Sequence, residues 1–267
     1  MSNPTPPHSP RRPVAYLNQE FLSSPDARVL RILSEYLEPF AHFRREKIRD
    51  TVVFFGSARL RENGPMAKFY EDARTLARML TEWSVQFTNS TYRFVVCSGG
   101  GPGIMEAANR GACDAGGKTV GLNIGLPFEQ FPNPYITPEL SFEFDYFFMR
   151  KFWFAYLAKA MVVFPGGFGT LDEMMELLTL SQTKKLAKKI SILLYGSEYW
   201  KEIINWDALV KYEMIAPEDL DLFQYADDPQ TAFDILTTNL KTYALVPETP
   251  ETPSISKSIN PQKPEGA

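Results

Sequence analysis

The sequence predicts an α/β fold, a doubly wound parallel sheet with helices on both faces, built as a single domain with an N-terminal helical extension. Three observations predict it. Short apolar, β-branched runs alternate at least five times with stretches of helical period, and no internal repeat is present. Three of the runs end in loops of small residues: Gly56-Ser57, Ser98-Gly99-Gly100-Gly101-Pro102-Gly103, and Pro165-Gly166-Gly167-Phe168-Gly169-Thr170. In open parallel sheets ligands bind where the carboxyl ends of the strands part, so three such loops on one edge point to a nucleotide-sized ligand.

Residues 1–20 and 246–267 are dense in proline among polar residues and read as disordered tails; residues 21–50 form the helical extension and 51–245 the α/β domain. In the extension, Ser24-Pro25 opens a pattern of Val29, Leu30, Ile32, Leu33, Tyr36, Leu37 and Phe40, an amphipathic helix running toward Arg49. The first strand is read at residues 51–55, with a helix after Gly64-Pro65 carrying Phe69, Ala73, Leu76, Ala77 and Leu80 on one face. A second strand at 94–97 leads through the triple glycine into a helix with Ile104, Ala107, Ala108 and Ala112; a third strand is read at 118–122. A proline-punctuated loop at 125–138 and an alternating stretch at 142–147 precede a helix from Met149 to about Lys159. After a strand at 160–164 come the third glycine loop and its helix, a strand at 190–195, one helix through Trp200, Ile203, Ile204, Leu209 and Tyr212, and a last helix near 229–243.

Hydrophobic residues make up 44% and charged residues 22%, ordinary values for a folded chain, and a net charge of −4 argues against a nucleic-acid partner. Two cysteines, Cys97 and Cys113, and two histidines are too few for a disulfide framework or a Cys/His metal cage, which fits a reducing, cytoplasmic setting. The most apolar stretch, 142–164, is interrupted by charges, and no export signal or membrane span is predicted.

The loop at 165–170 is an anion site in form. It lies between the apolar run Ala160-Met161-Val162-Val163-Phe164 and a helix marked by Met174, Leu177, Leu178 and Leu180, so its N–H groups and the helix dipole favour phosphate. Gly166, Gly167 and Gly169 are read as supplying positive φ and close backbone approach, and Thr170 as a hydroxyl at the cap. Alternatively, Thr170 and Glu173 form a capping box around a plain turn. Neither glycine loop fits the usual dinucleotide fingerprint, and no Gly-Lys-Ser/Thr follows.

Taken together, Gly56-Ser57, the Ser98 to Glu106 stretch, Met149-Arg150-Lys151 and Pro165-Gly166-Gly167-Phe168-Gly169-Thr170-Leu171-Asp172-Glu173 resemble the LONELY GUY (LOG) family of Rossmann-like phosphoribohydrolases, which release the base from cytokinin or adenosine monophosphates. The resemblance covers roughly 51–243 and implies hydrolysis of a nucleoside 5′-monophosphate, AMP or a cytokinin riboside monophosphate, without a cofactor or metal. The family's older label, lysine decarboxylase, finds no set of residues for pyridoxal chemistry. The resemblance also implies that Arg150 is catalytic. Cleavage of an N-glycosidic bond builds positive charge on the ribose and needs a nearby carboxylate, for which Glu173 is the candidate. Gly56, Ser57, Ser98, Gly99, Gly100, Gly101, Gly166, Gly167, Gly169 and Thr170 would line the nucleotide site. Glu106 would take the ribose hydroxyls or complement a helix dipole, Met149 would pack on the base or in the core, and Lys151 would bind substrate beside Arg150 or face solvent. The aromatic cluster Phe147, Phe148, Phe152, Trp153 and Tyr156 is wider than one helix face needs, which, with the family's habit, predicts a homodimer or higher homo-oligomer. The competing reading is a Rossmann-like module that binds a nucleotide or molybdenum cofactor without cleaving it.

Overall fold

The computed structural model describes residues 12–88, 90–126, 131–186 and 188–245; the outer part of the first expected tail, 1–11, and the whole of the second, 246–267, lie outside the described residues. Residues of the first expected tail from 12 onward carry a 3-10 turn, Ala15–Leu17, and the start of a short helix, α1 (Gln19–Ser23). The extension continues as a 3-10 turn and the helix α2 (Arg28–Arg45).

Among the described residues seven strands form one sheet: β1 (Thr51–Phe55), β2 (Val95–Ser98), β3 (Thr119–Ile124), β4 (Ser141–Phe144), β5 (Ala158–Val163), β6 (Ser191–Tyr195) and β7 (Phe223–Ala226). Their order is β4-β3-β2-β1-β5-β6-β7, and every pairing is parallel. The chain steps outward from β1 to β4, then returns to lay β5 on the other side of β1. That reversal is the topological switch point, where such folds open a ligand crevice. The fold is the doubly wound sheet the sequence predicts, with helices α3 (Ala67–Ser84), α4 (Ile104–Asp114), α5 (Phe147–Leu157), α6 (Phe168–Gln182), α7 (Ser197–Ile203), α8 (Trp206–Lys211) and α9 (Pro229–Tyr243) around it.

The near-continuous apolar strands follow from burial on both faces. Along β1, Val52 and Phe54 pack with α3, α4 and α9, while Val53 and Phe55 pack with α5, α6 and α7, so the alternation of Cβ directions sorts one strand into two cores. Each such side chain contributes about 1.5–3 kcal/mol when fully buried. The second core also receives α2, whose Tyr36 and Phe43 rings lie 5.7 and 5.2 Å from Trp153 of α5. Much of the aromatic cluster on α5 is therefore covered by the chain's own extension, while Phe147 and Phe148 stay half exposed.

Two elements depart from the sequence reading. The helix expected through Trp200 and Tyr212 is two helices, because the Asn205 side chain accepts from the Ala208 N–H and caps a new start after Ile204. The edge strand β7 was not expected. Its four residues are too short to show a period.

Candidate functional site

The loops that follow β1 and β5 meet at the switch point. The Ser57 N–H donates to the Pro165 carbonyl (2.9 Å), and the Phe164 N–H to Phe55 (2.8 Å), so the two strand ends are tied backbone to backbone. The loop after β2 closes on them: Ile104 N–H donates to the Ser57 carbonyl (3.2 Å), and Gly103 has a φ of +72° with its α-carbon face against the backbone of Ser57 and Ala58. Only glycine fits there. Above these loops lies a cavity of about 900 Å³, large enough for a nucleotide. Gly56, Ser57, Gly99, Arg150, Gly166, Gly167, Gly169, Thr170 and Glu173 all line it.

The loop after β5 works differently from the sequence reading. None of Gly166, Gly167 and Gly169 has positive φ; among the described residues the positive-φ glycines are Gly100, Gly103, Gly116 and Gly196. Gly166 is instead required because a side chain would collide with Thr170 in the first turn of α6. At Gly167 and Gly169 an added Cβ would meet nothing within 4 Å, so their bare backbone faces open space. Nor does Thr170 occupy the cap. Gly167 is the N-cap of α6, no side chain caps it, and the capping-box alternative for Thr170 and Glu173 falls with it. The first-turn N–H groups of α6 thus sit at the cavity with the positive end of the helix dipole behind them and no capping side chain to compete for them, an arrangement that favours an anion. Tyr199 Oη donates to the Gly166 carbonyl (2.8 Å) and holds the loop from the far side.

Glu173 stands on α6 just beyond this loop, with 5% of its surface exposed. Burial pushes its carboxyl up to about 7, against the opposing pull of Lys151 and Arg150. Arg150, in the first turn of α5, places Nη2 3.7 Å from Glu173 Oε1, close enough to pair charges and too far for a hydrogen bond. Its guanidinium lies 5.4 Å from the Phe147 ring centre and 5.5 Å from that of Phe154. Burial lowers its pKa, Glu173, Asp172 and Glu143 oppose the shift, and arginine stays charged. Arg150 Nε is buried with no hydrogen-bond partner among the described residues.

The other expected residues do not line the cavity. Lys151 Nζ is bound to Asp172 (2.8 Å) and Glu176 (2.9 Å), tying α5 to α6. Ser98 is fully buried, accepting from the Gly100 N–H and donating to Asn109; Gly100 and Gly101 offer their carbonyls to the Asn133 side chain. These residues build the loop from behind. Glu106 accepts from Tyr70 Oη (3.0 Å), and Met149 is in the core beneath α5. The cavity wall also includes residues the sequence reading passed over, among them Asn123, Met105, Arg59 and Tyr199. Asn123 had a signal: it is the polar residue in Leu122-Asn123-Ile124, at the carboxyl end of β3.

Among the described residues no group of His, Cys, Asp and Glu could hold a metal, and no helix is long and apolar enough to cross a membrane. The family described as "possible lysine decarboxylase" matches residues 105–236. A protein of Oryza sativa subsp. japonica named probable cytokinin riboside 5′-monophosphate phosphoribohydrolase LOGL3 is 24% identical over 200 residues, 72% of this chain and 85% of its own length. The cytokinin riboside 5′-monophosphate phosphoribohydrolase of Rhodococcoides fascians is 32% identical over 114 residues, 42% of this chain and 56% of its own. Among solved structures, the Moco carrier protein from Chlamydomonas reinhardtii shares 19% identity at a TM-score of 0.49, covering 73% of this chain and 99% of its own. Pyridoxal phosphate, which a lysine decarboxylase would use, does not fit the residues present: no lysine is among those that line the cavity, and Lys151 is spent on two carboxylates. The matched segment carries Arg150, Glu173 and the loop between them, and the relatives bear the name that the Pro165 to Glu173 motif suggested; over this segment the chain is similar to the LOG family.

Proposed function

We propose that the protein is a nucleoside 5′-monophosphate phosphoribohydrolase, cleaving AMP or a cytokinin riboside monophosphate to the free base and ribose 5-phosphate. The observation that carries this is a buried carboxylate poised near neutrality, Glu173, charge-paired with Arg150 in the same cavity as an uncapped helix start. A module that only holds phosphate has no use for a carboxylate beside it, since the two charges repel.

In this reading the phosphate rests on the N–H groups at the start of α6, which places the ribose over Glu173. Glu173 takes a proton from a water as the water oxygen bonds to C1′. The C1′–N bond breaks, its electron pair leaves with the base, and the proton returns through Glu173 or solvent to the base nitrogen. Arg150 keeps Glu173 partly ionised despite burial and, as part of the cavity wall, is available to an oxygen of the substrate. The relatives' names support a phosphoribohydrolase and name a cytokinin nucleotide as their substrate; AMP shares the phosphate, ribose and purine that these residues would meet.

The phosphate cradle predicts that nucleosides are far poorer substrates than their monophosphates. Loss of a charge-assisted anion contact of about 1.5–3 kcal/mol lowers kcat/KM roughly ten- to a hundredfold. Base release from adenosine and AMP, measured side by side, checks it; equal rates would make the loop after β5 purely structural. We also propose a homo-oligomer. Phe147 and Phe148 stay about half exposed, and Phe168 is 93% exposed at the lip of the cavity, an apolar group that a second subunit would cover. Light scattering should give at least a dimer, and a fully active monomer would contradict this. The free thiols Cys97 and Cys113 support placing the protein in a reducing, cytoplasmic compartment.

A further inference from the structure

We propose that Glu35, on the extension helix α2, is a positioning residue for Arg150. This rests on the hydrolase reading above. Helix α5 begins at Phe147 with Tyr146 as its N-cap, and no side chain of its own caps it. The chain entering the helix is instead held from α2: Glu35 Oε1 accepts from the Asp145 N–H (2.8 Å) and Oε2 from the Tyr146 N–H (3.3 Å), which fixes the N-cap residue and puts a carboxylate at the positive end of the helix. A second tie lies one turn beyond Arg150, where Trp153 Nε1 donates to the Glu35 backbone carbonyl (2.9 Å). Tyr36 adds ring contacts with Phe152 and Trp153 at 5.6 and 5.7 Å.

Arg150 sits between these ties. Its own N–H donates to the Tyr146 carbonyl (3.2 Å), so the turn that carries the guanidinium starts on the residue that Glu35 holds. The guanidinium stands 3.7 Å from Glu173, outside hydrogen-bond range, and nothing in that contact locks its position. Its place is set by the helix, and the first turn of the helix is set by Glu35. A small displacement at such a distance from the chemistry is costly, because about 1 Å of misplacement costs up to a hundredfold in rate.

Glu173 is faced by Arg150 and Lys151 from α5 and by Asp172 and Glu176 on its own helix. When Arg150 retreats, the carboxyl loses a positive neighbour and titrates higher. The test compares Glu35→Ala, Glu35→Gln and the parent for kcat and KM on AMP, for the pH profile of kcat/KM, and for the carbon-13 titration of the Glu173 carboxyl. Glu35→Ala should lower kcat about tenfold with KM changed less, and move both the profile and the carboxyl titration upward by about half a unit. Glu35→Gln keeps one acceptor for the helix start and should recover most of both. If the alanine variant does not fold, Glu35→Asp, too short to reach both N–H groups, should show the same displacement. Parental kcat and titration in Glu35→Ala or Glu35→Asp, or a Glu35→Gln variant no better than alanine, would overturn the proposal. The carboxyl titration needs no turnover, so it reads the position of Arg150 even if the protein proves not to be a hydrolase.

Discussion

Glu173→Gln should lower turnover of the nucleotide by roughly two orders of magnitude or more while making the fold more stable at neutral pH. The two effects share one cause. Burial raises the Glu173 carboxyl from its ordinary 4.5 to about 7, so between those values the native state holds a proton that the unfolded chain has released. Stability therefore falls as pH rises through that window, and above about pH 7 the fold carries a cost on the order of 3 kcal/mol for the charged form. Glutamine imitates the protonated carboxyl in shape and never pays that cost. Denaturant melts of parent and variant should differ by about that amount at pH 8 and coincide near pH 4. Equal stability at both pH values would mean that Glu173 is not a buried, proton-holding group.

Arg150→Ala should depress turnover by a comparable two orders of magnitude and should move the acidic limb of kcat/KM above the parental value near 7. Removing the guanidinium takes away one of the two positive groups that oppose burial at Glu173, leaving Lys151, which is already shared between Asp172 and Glu176. A larger share of the enzyme then holds its base protonated at pH 7. Because the two residues serve one task, the double variant Arg150→Ala, Glu173→Gln should be little worse than the poorer single variant. Rate losses that multiply in full would show that the pair does not act as a unit.

Six of the seven strands and the three glycine loops were legible because both signals are local. A five-residue apolar run such as Thr51–Phe55 needs no partner to be recognised, and a loop of small residues at its end marks where the backbone turns tightly. The pairing of Arg150 with Glu173 was legible through the family resemblance, since nothing local joins residues on two different helices. What could not be read is whatever depends on which elements touch. The carboxylate that holds the entry to α5 is Glu35, 110 residues before its first hydrogen-bond donor, Asp145. Ser98 reads as a site residue at a strand end, yet its hydroxyl turns inward to Asn109. The Gly166 requirement likewise arises from the Thr170 side chain four residues later rather than from its own backbone angles, which only packed coordinates reveal.

The most direct test of the account is to incubate the purified protein with AMP, and in parallel with a cytokinin riboside monophosphate, and to quantify free base and ribose 5-phosphate by chromatography against a Glu173→Gln control. The account predicts that base and ribose 5-phosphate appear in equal amounts from at least one of the two nucleotides, with little from the control. A parent protein that binds a nucleoside monophosphate tightly yet releases no base from it would contradict the account and leave a nucleotide-binding module in its place.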